Sequence, residues 1–255
     1  MKIGIVIPAR LESERLPNKV LRDFFGIPMI EHVWRRAQTT NPQIQSVIAT
    51  DSDQIISVCE KFGATTLKTS TQHTNGLSRV GEASKVLKWD FYIVLQADEI
   101  LVEPKNLNKL YEDVKKFPEI PFFNLVSNLE NVDEIDDENV VKCLMRPNGT
   151  IIHIARKSSS IASKEMQKQN TSKICGIYAV SNIALQELVQ NGPTLFEKSD
   201  SIEQMRAIEM GMNMLGVKIG RNFPSVNTIE EANLVQEILE NDELQRELLK
   251  LIKSK

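Results

Sequence analysis

The chain lacks most of what marks a secreted, membrane-bound or nucleic-acid-binding protein. Its three cysteines, Cys59, Cys143 and Cys175, are widely spaced and form no Cys-x-x-Cys pair. That pattern excludes a disulfide framework and a cysteine metal site, and reduced, buried thiols are expected. No activating base accompanies any of them, which argues against a catalytic thiol. No apolar run approaches the roughly 20 residues that a membrane span needs. A charged leader followed by an apolar stretch and a cleavage site is missing as well, so a cytoplasmic location is expected. The net charge of -3 argues against nonspecific nucleic-acid binding. There is no internal repeat, low-complexity tract or linker.

What is present is an alternation of strands and helices. A chain of 255 residues, 41% hydrophobic and 25% charged, suits one large α/β domain with an appended subdomain. Strands are expected at 3–8, 46–50, 65–68, 91–95 and 122–127, and helices at 29–38, 53–62, 79–87 and 106–117. This order predicts a doubly wound, mostly parallel, Rossmann-like sheet. The pattern then changes. Strands at 140–145 and 150–155 flank Arg146-Pro-Asn-Gly149, a hairpin-like turn. Polar residues 157–173 show no period and read as a mobile excursion carrying a dimer or substrate region. A strand at 176–181, a helix at 202–211, a strand at 215–219 and a charged helix at 228–253, broken near Asn241, complete the chain. The expectation is one domain over 1–255 with a small β-rich excursion at about 130–180.

The first twenty residues carry the clearest chemical signal. Ile3-Gly-Ile-Val-Ile-Pro8 is apolar and β-branched, as a strand covered on both faces must be, and Pro8 is expected to end it. Arg10, Arg15 and Lys19 follow, where ligands of open α/β sheets bind. Two guanidinium forks and one compact ammonium suit a triphosphate. A solvated basic loop is the competing reading, because Glu12 and Glu14 lie among the cations. A second constellation, Leu95-Gln-Ala-Asp-Glu99, ends the most apolar strand. Asp98 is placed there to hold a divalent cation against phosphate oxygens, or to serve as a cap or turn residue. Gly76 reads from the chain alone as a turn residue. Arg79, at a helix start, opposes the helix dipole and calls for another partner, with the nucleotide a candidate.

The order Ile-Pro-Ala9-Arg10, Arg15-Leu-Pro-x-Lys19 and Gly26-Ile-Pro-Met-Ile-x-His-Val33 resembles the opening of the sugar-activating cytidylyltransferases, above all the 3-deoxy-manno-octulosonate (Kdo) cytidylyltransferases. The resemblance extends from Ile3 to about Leu234. It implies transfer of CMP from CTP to a 2-keto-3-deoxy sugar acid with loss of pyrophosphate, Mg²⁺ as cofactor, and a homodimer that needs neither membrane nor nucleic acid. It also implies nucleotide contacts at Ala9, Arg10, Arg15, Lys19, Asn75, Gly76 and Arg79. Gln96, Arg156, Tyr178, Glu203 and Gln204 would meet the sugar acid, and Asp98 and Asn227 the metal. Arg206 is either part of that helix motif or a surface ion pair. Catalysis would rest on Arg10, Arg15, Lys19 and Asp98, with no general base evident. His32, inside an amphipathic helix, reads as structural.

Several positions depart from the family pattern. Ala97 stands where the family has glycine, Ile174-Cys175 replaces a His-Leu pair near the substrate, and Asn227 replaces a metal-binding aspartate. These changes lead us to expect weaker metal binding and a sugar pocket shaped for something other than unmodified Kdo. Another sugar acid, such as an amino-substituted one, and a nucleotide-binding protein without turnover are the alternatives.

Overall fold

The computed structural model describes residues 1–13, 15–40, 42–157 and 163–254. Glu14 and residues 158–162 of the expected excursion therefore lie outside the described residues. In chain order the elements begin β1 (Ile3–Ala9), β2 (Asp23–Phe24), β3 (Ile27–Pro28), α1 (Met29–Ala37), β4 (Ser46–Thr50), α2 (Asp53–Lys61), β5 (Thr66–Lys68), α3 (Gly76–Leu87), β6 (Phe91–Leu95), α4 (Pro104–Lys116) and β7 (Phe122–Asn128). They continue with β8 (Lys142–Met145), β9 (Ile151–Ala155), α5 (Lys164–Asn170), β10 (Thr171–Ser181), α6 (Asn182–Asn191), α7 (Leu195–Asp200), α8 (Met205–Glu209), β11 (Met214–Lys218), α9 (Ile229–Asn241) and α10 (Glu243–Lys253). The chain divides into two compact units, residues 2–108 with 223–255 and residues 109–222. The second unit holds together because β7, β10 and β11 pair with one another and carry β8 with them.

In the first unit, β1 lies between β4 and β6, β5 lies outside β4, and these three pairings are parallel, while β2 and β3 form a separate antiparallel pair. The chain lays down β1, β4 and β5 in one direction and then returns to place β6 on the other side of β1. The sheet therefore reverses direction between β1 and β6, and a crevice opens beyond their carboxyl ends. Trp89 packs so closely that a Cβ at Gly4 would lie 2.2 Å from its ring, so only glycine fits there. Pro8 does not end β1, which runs on to Ala9. Pairing with β6 stops at Val6–Val94 while Pro8 still faces Ala49 of β4, so the missing N–H falls where β1 has no β6 neighbour.

Side-chain caps set several helix starts: Ser52 on α2 and Asn75 on α3 accept from the backbone N–H groups of Ile55 and Ser78. The expected C-terminal helix breaks at Asp242, which has ψ 122° and caps α10 by accepting from Gln245 N. In the second unit β7 pairs with β11 in parallel and with β10 antiparallel, while β8 pairs with β10 and β9. Residues 163–173, expected to have no regular period, form a helix and the start of a strand. Ser163 caps α5, and β10 begins at Thr171 because β8 and β7 both offer it a ladder. Helices α6 and α7 were not anticipated, although Ser181 and the Thr194/Glu197 capping box mark their starts.

Candidate active site

The loop after β1 is shaped by its apolar and conformational residues. Leu16 and Val20 are buried, and Asn18 takes a left-handed conformation (φ 54°) that asparagine tolerates better than most residues. The buried pair anchors the loop while Arg10 and Arg15 remain exposed. Arg10 Nη1 donates to Thr74 O at 3.5 Å. These two arginines, Lys19, Ala97, Asp98 and Asn227 line a cleft of about 330 Å³ at the crevice between β1 and β6.

Lys19 is the centre of this arrangement. Its Nζ lies 2.7 Å from Asp98 Oδ2 and 3.1 Å from Asn227 Oδ1. Asn227 Nδ2 donates to Ser225 Oγ at 3.1 Å, which turns the amide so that its oxygen faces the ammonium. The backbone supports both side chains: Val226 N donates to Asp98 O, and Glu231 accepts from the N–H groups of Asn227 and Thr228 at the start of α9. Two oxygens thus converge on one positive charge, so the donor set suits a hard cation that also takes phosphate oxygens and water. Among the described residues no cluster of three or more His, Cys, Asp or Glu offers an alternative metal site.

The residues that the resemblance links to the nucleotide differ in how far the protein itself engages them. Asn75 caps α3 rather than leaving its amide open. Gly76 makes a close approach: a Cβ there would lie 3.2 Å from Gln96 Nε2 and 3.3 Å from Pro8 Cγ. Arg79, expected to call for a partner beyond its own helix, has partners within the protein. It is buried, its Nη1 donates to Thr69 Oγ1 at 2.6 Å, and its Nη2 meets Asp51 Oδ2 at 3.3 Å. Those bonds tie the ends of β4 and β5 to α3. Asp51 was overlooked in the sequence, although it directly follows β4.

In the second unit Tyr178 stacks on Phe122, and its hydroxyl donates to Glu203 Oε2 at 3.3 Å. Burial first, and then the Glu203 charge, push the phenol well above its usual pKa, so it stays protonated. Gln204 Nε2 donates to Asn124 Oδ1 at 3.2 Å. Asn124 also escaped notice, though one amide within the apolar run Phe122 to Val126 was its signal. Arg156 is committed to the main chain, with Nε, Nη1 and Nη2 donating to the carbonyls of Asp200, Glu138 and Ser201. Arg206 is not a surface pair: it is buried and grips Glu197 through Nε and Nη2 at 2.7 and 2.6 Å. Ile174 occupies the position of the family histidine, and its neighbour Cys175 is a buried free thiol. Burial raises Cys59 and Cys143 to about 12. In the first unit, His32 Nε2 donates to Phe24 O at 2.7 Å, and burial lowers its pKa to about 4.

The fold that carries this cleft has counterparts of known structure. A structure of CMP:2-keto-3-deoxy-manno-octonic acid synthetase complexed with CTP superposes with a TM-score of 0.89 at 28% identity, covering 95% of this chain and all of that one. A 4-diphosphocytidyl-2C-methyl-D-erythritol synthase from Anaerococcus prevotii shares the fold alone, with a TM-score of 0.65 at 9% identity, covering 94% of this chain and 99% of that one. Fold and site define a nucleotidyltransferase. The chain belongs to the cytidylyltransferase family, whose profile matches residues 4–218. The 3-deoxy-manno-octulosonate cytidylyltransferase of Chlorobium limicola is 34% identical over 94% of this chain and 98% of its own length. That of Elusimicrobium minutum is 33% identical over 93% and 98%.

Proposed function

We propose that the chain transfers CMP from CTP to a 2-keto-3-deoxy sugar acid, Kdo or a modified relative, with release of pyrophosphate and with Mg²⁺ as cofactor. The observation that carries this reading is the Lys19 ammonium clasped by Asp98 and Asn227 in a cleft shared with Arg10 and Arg15. In the reaction the anomeric oxygen of the sugar acid bonds to the α-phosphorus, the bond to the bridging pyrophosphate oxygen breaks, and the hydroxyl proton is released. Arg10 and Arg15 hold the triphosphate and offset the charge that grows on the leaving group. Lys19 links the phosphate loop to Asp98, so the same ammonium both orders the carboxylate and faces the leaving phosphates. Asp98 and the carbonyl oxygen of Asn227 would hold Mg²⁺, which supplies charge neutralisation at the phosphate oxygens when bound. His32 is no base for this step, since its Nε2 proton is held by Phe24 O within the core.

Tyr178, Glu203 and Gln204 form the cluster that the family resemblance links to the sugar acid. Without the family histidine, that cluster favours a modified acid over unmodified Kdo. We also infer a homodimer in the cytoplasm. No helix among the described residues is long and apolar enough to cross a membrane. Pyrophosphate release measured for each of the four nucleoside triphosphates against a panel of sugar acids tests the reading. Release with CTP and a 2-keto-3-deoxy acid is expected, and its absence across the panel sinks the proposal. Efficient turnover of Kdo with no better acid in the panel sinks the preference for a modified one.

A further inference from the structure

Asn124 is fully buried in β7 between Phe123 and Leu125, and an amide in such a place is costly unless its hydrogen bonds are made. The neighbouring strand explains what it does. From Ile174–Val126 to Tyr178–Asn124, β10 advances four residues while β7 advances two, so β10 bulges. The bulge takes the Cys175 carbonyl out of the regular ladder. Asn124 Nδ2 donates to that carbonyl at 3.0 Å and to Leu125 O at 2.7 Å. Both acceptors are carbonyls, so the NH₂ group must face them and Oδ1 must face away. What Oδ1 meets is Gln204 Nε2, at 3.2 Å. An amide oxygen only accepts, so Gln204 must present its own NH₂ inward. Its carbonyl oxygen is what remains for a ligand.

We infer that Asn124 is a positioning residue that sets the polarity of Gln204, so that this wall of the sugar-acid pocket offers a hydrogen-bond acceptor and selects an acid carrying a donor there. The inference rests on the proposed function, in which Gln204 meets the sugar acid. Glu203 adds to it, since it accepts from the Tyr178 hydroxyl and a carboxylate likewise offers acceptors only. A hydroxyl or an ammonium group satisfies such a wall. A fluorine at the same carbon does not, because it places a second negative end against the amide oxygen.

The test compares 2-keto-3-deoxy acids in which single hydroxyls are replaced by hydrogen or by fluorine, read as kcat/KM for pyrophosphate release with CTP. At the position that meets Gln204, both analogues should lose about tenfold or more. The fluoro analogue should be the worse of the two, whereas a donating Gln204 would make it the better one and overturn the assignment. Gln204→Met should raise KM for the sugar acid, leave KM for CTP in place and erase the difference between the analogues. An unchanged sugar-acid KM in that variant removes Gln204 from the pocket, and the inference with it. Asn124→Ala frees the amide to turn, so the ratio of fluoro to deoxy turnover should rise at least severalfold. A ratio that stays put in folded Asn124→Ala protein shows that Asn124 does not set the polarity. If that variant does not fold, the wild-type ratio together with Gln204→Met decides. Failure of every acid with CTP is a different outcome, and it sinks the functional reading itself.

Discussion

The phosphate cleft and the Tyr178–Gln204 cluster handle polar side chains in opposite ways. In the cleft Arg15 is exposed and Arg10 makes one 3.5 Å bond to a backbone carbonyl, while Lys19 shares a partly buried ion pair with Asp98. In the second unit Arg206 is closed on Glu197, Tyr178 on Glu203, and Gln204 on Asn124. Charges left open to solvent keep their hydration and cost the fold little, so they can be spared for a polyanion. Polar groups taken into an interior must be matched there, and any specificity they carry lies in which atom of each group is left over. Substitutions in the cleft should therefore change turnover with little change in stability, whereas those that break a buried pair should cost stability, whatever they also do to substrate selection.

The largest effect should come from Asp98→Asn, which removes the one carboxylate of the cleft's cation clasp. Turnover should fall about a thousandfold or more, as when a charge-stabilising group is lost at the reacting centre, while calorimetry still detects CTP bound through Arg10 and Arg15. Activity within tenfold of wild type would show that Asp98 serves only as the partner of Lys19. Arg206→Leu is the opposite case. It leaves Glu197 buried without its partner and should cost about 3–5 kcal/mol in urea unfolding, with most of that recovered in the double variant Arg206→Leu/Glu197→Leu. A loss under about 1 kcal/mol would place the pair among surface ion pairs.

His32 extends the comparison to the interior of the first unit. Its folded pKa of about 4 lies below the ordinary 6.5, so the unfolded chain binds its proton first as the pH falls. The stability it contributes is complete above about pH 6.5 and is lost toward pH 4, by up to about 3 kcal/mol. Urea midpoints for wild type and His32→Gln at pH 8 and pH 5 should diverge accordingly, and parallel curves would count against a buried neutral imidazole. Arg15→Ala should lower kcat/KM for CTP about a hundredfold, with an unchanged urea midpoint. Unchanged kinetics would return the loop to a solvated basic surface. The smallest effect should be that of Asn227→Asp, which restores an anionic ligand and should lower the Mg²⁺ concentration for half-maximal activity several-fold. An unmoved metal titration would show that Asn227 faces Lys19 and not the metal.

The phosphate end was legible because its determinants are local. A β-branched run stops at a basic loop, an aspartate follows the next buried strand, and both lie where a parallel sheet exposes its carboxyl ends. The capping box Thr228-x-x-Glu231, which supports Asn227, belongs to the same local grammar even though it was passed over. The protein partners of Arg79 were not legible, because an arginine in the first turn of a helix looks unpartnered along the chain, whereas Asp51, Thr69 and Ser70 reach it only after β4 and β5 are laid beside α3.

Local pattern thus determined the class of fold, the position of β1 and β6, the cationic loop and the candidate metal carboxylate, since each depends on hydrophobic period, chain stiffness or charge within a few residues. Tertiary structure decided which cations stay open and which are consumed. It also decided where the chain divides, and which way the amides of Asn124 and Gln204 point. Those outcomes depend on a bulge in β10, on strands brought together from distant parts of the chain, and on the cost of leaving a buried polar atom unmatched. None of these leaves a mark at a fixed spacing along the sequence.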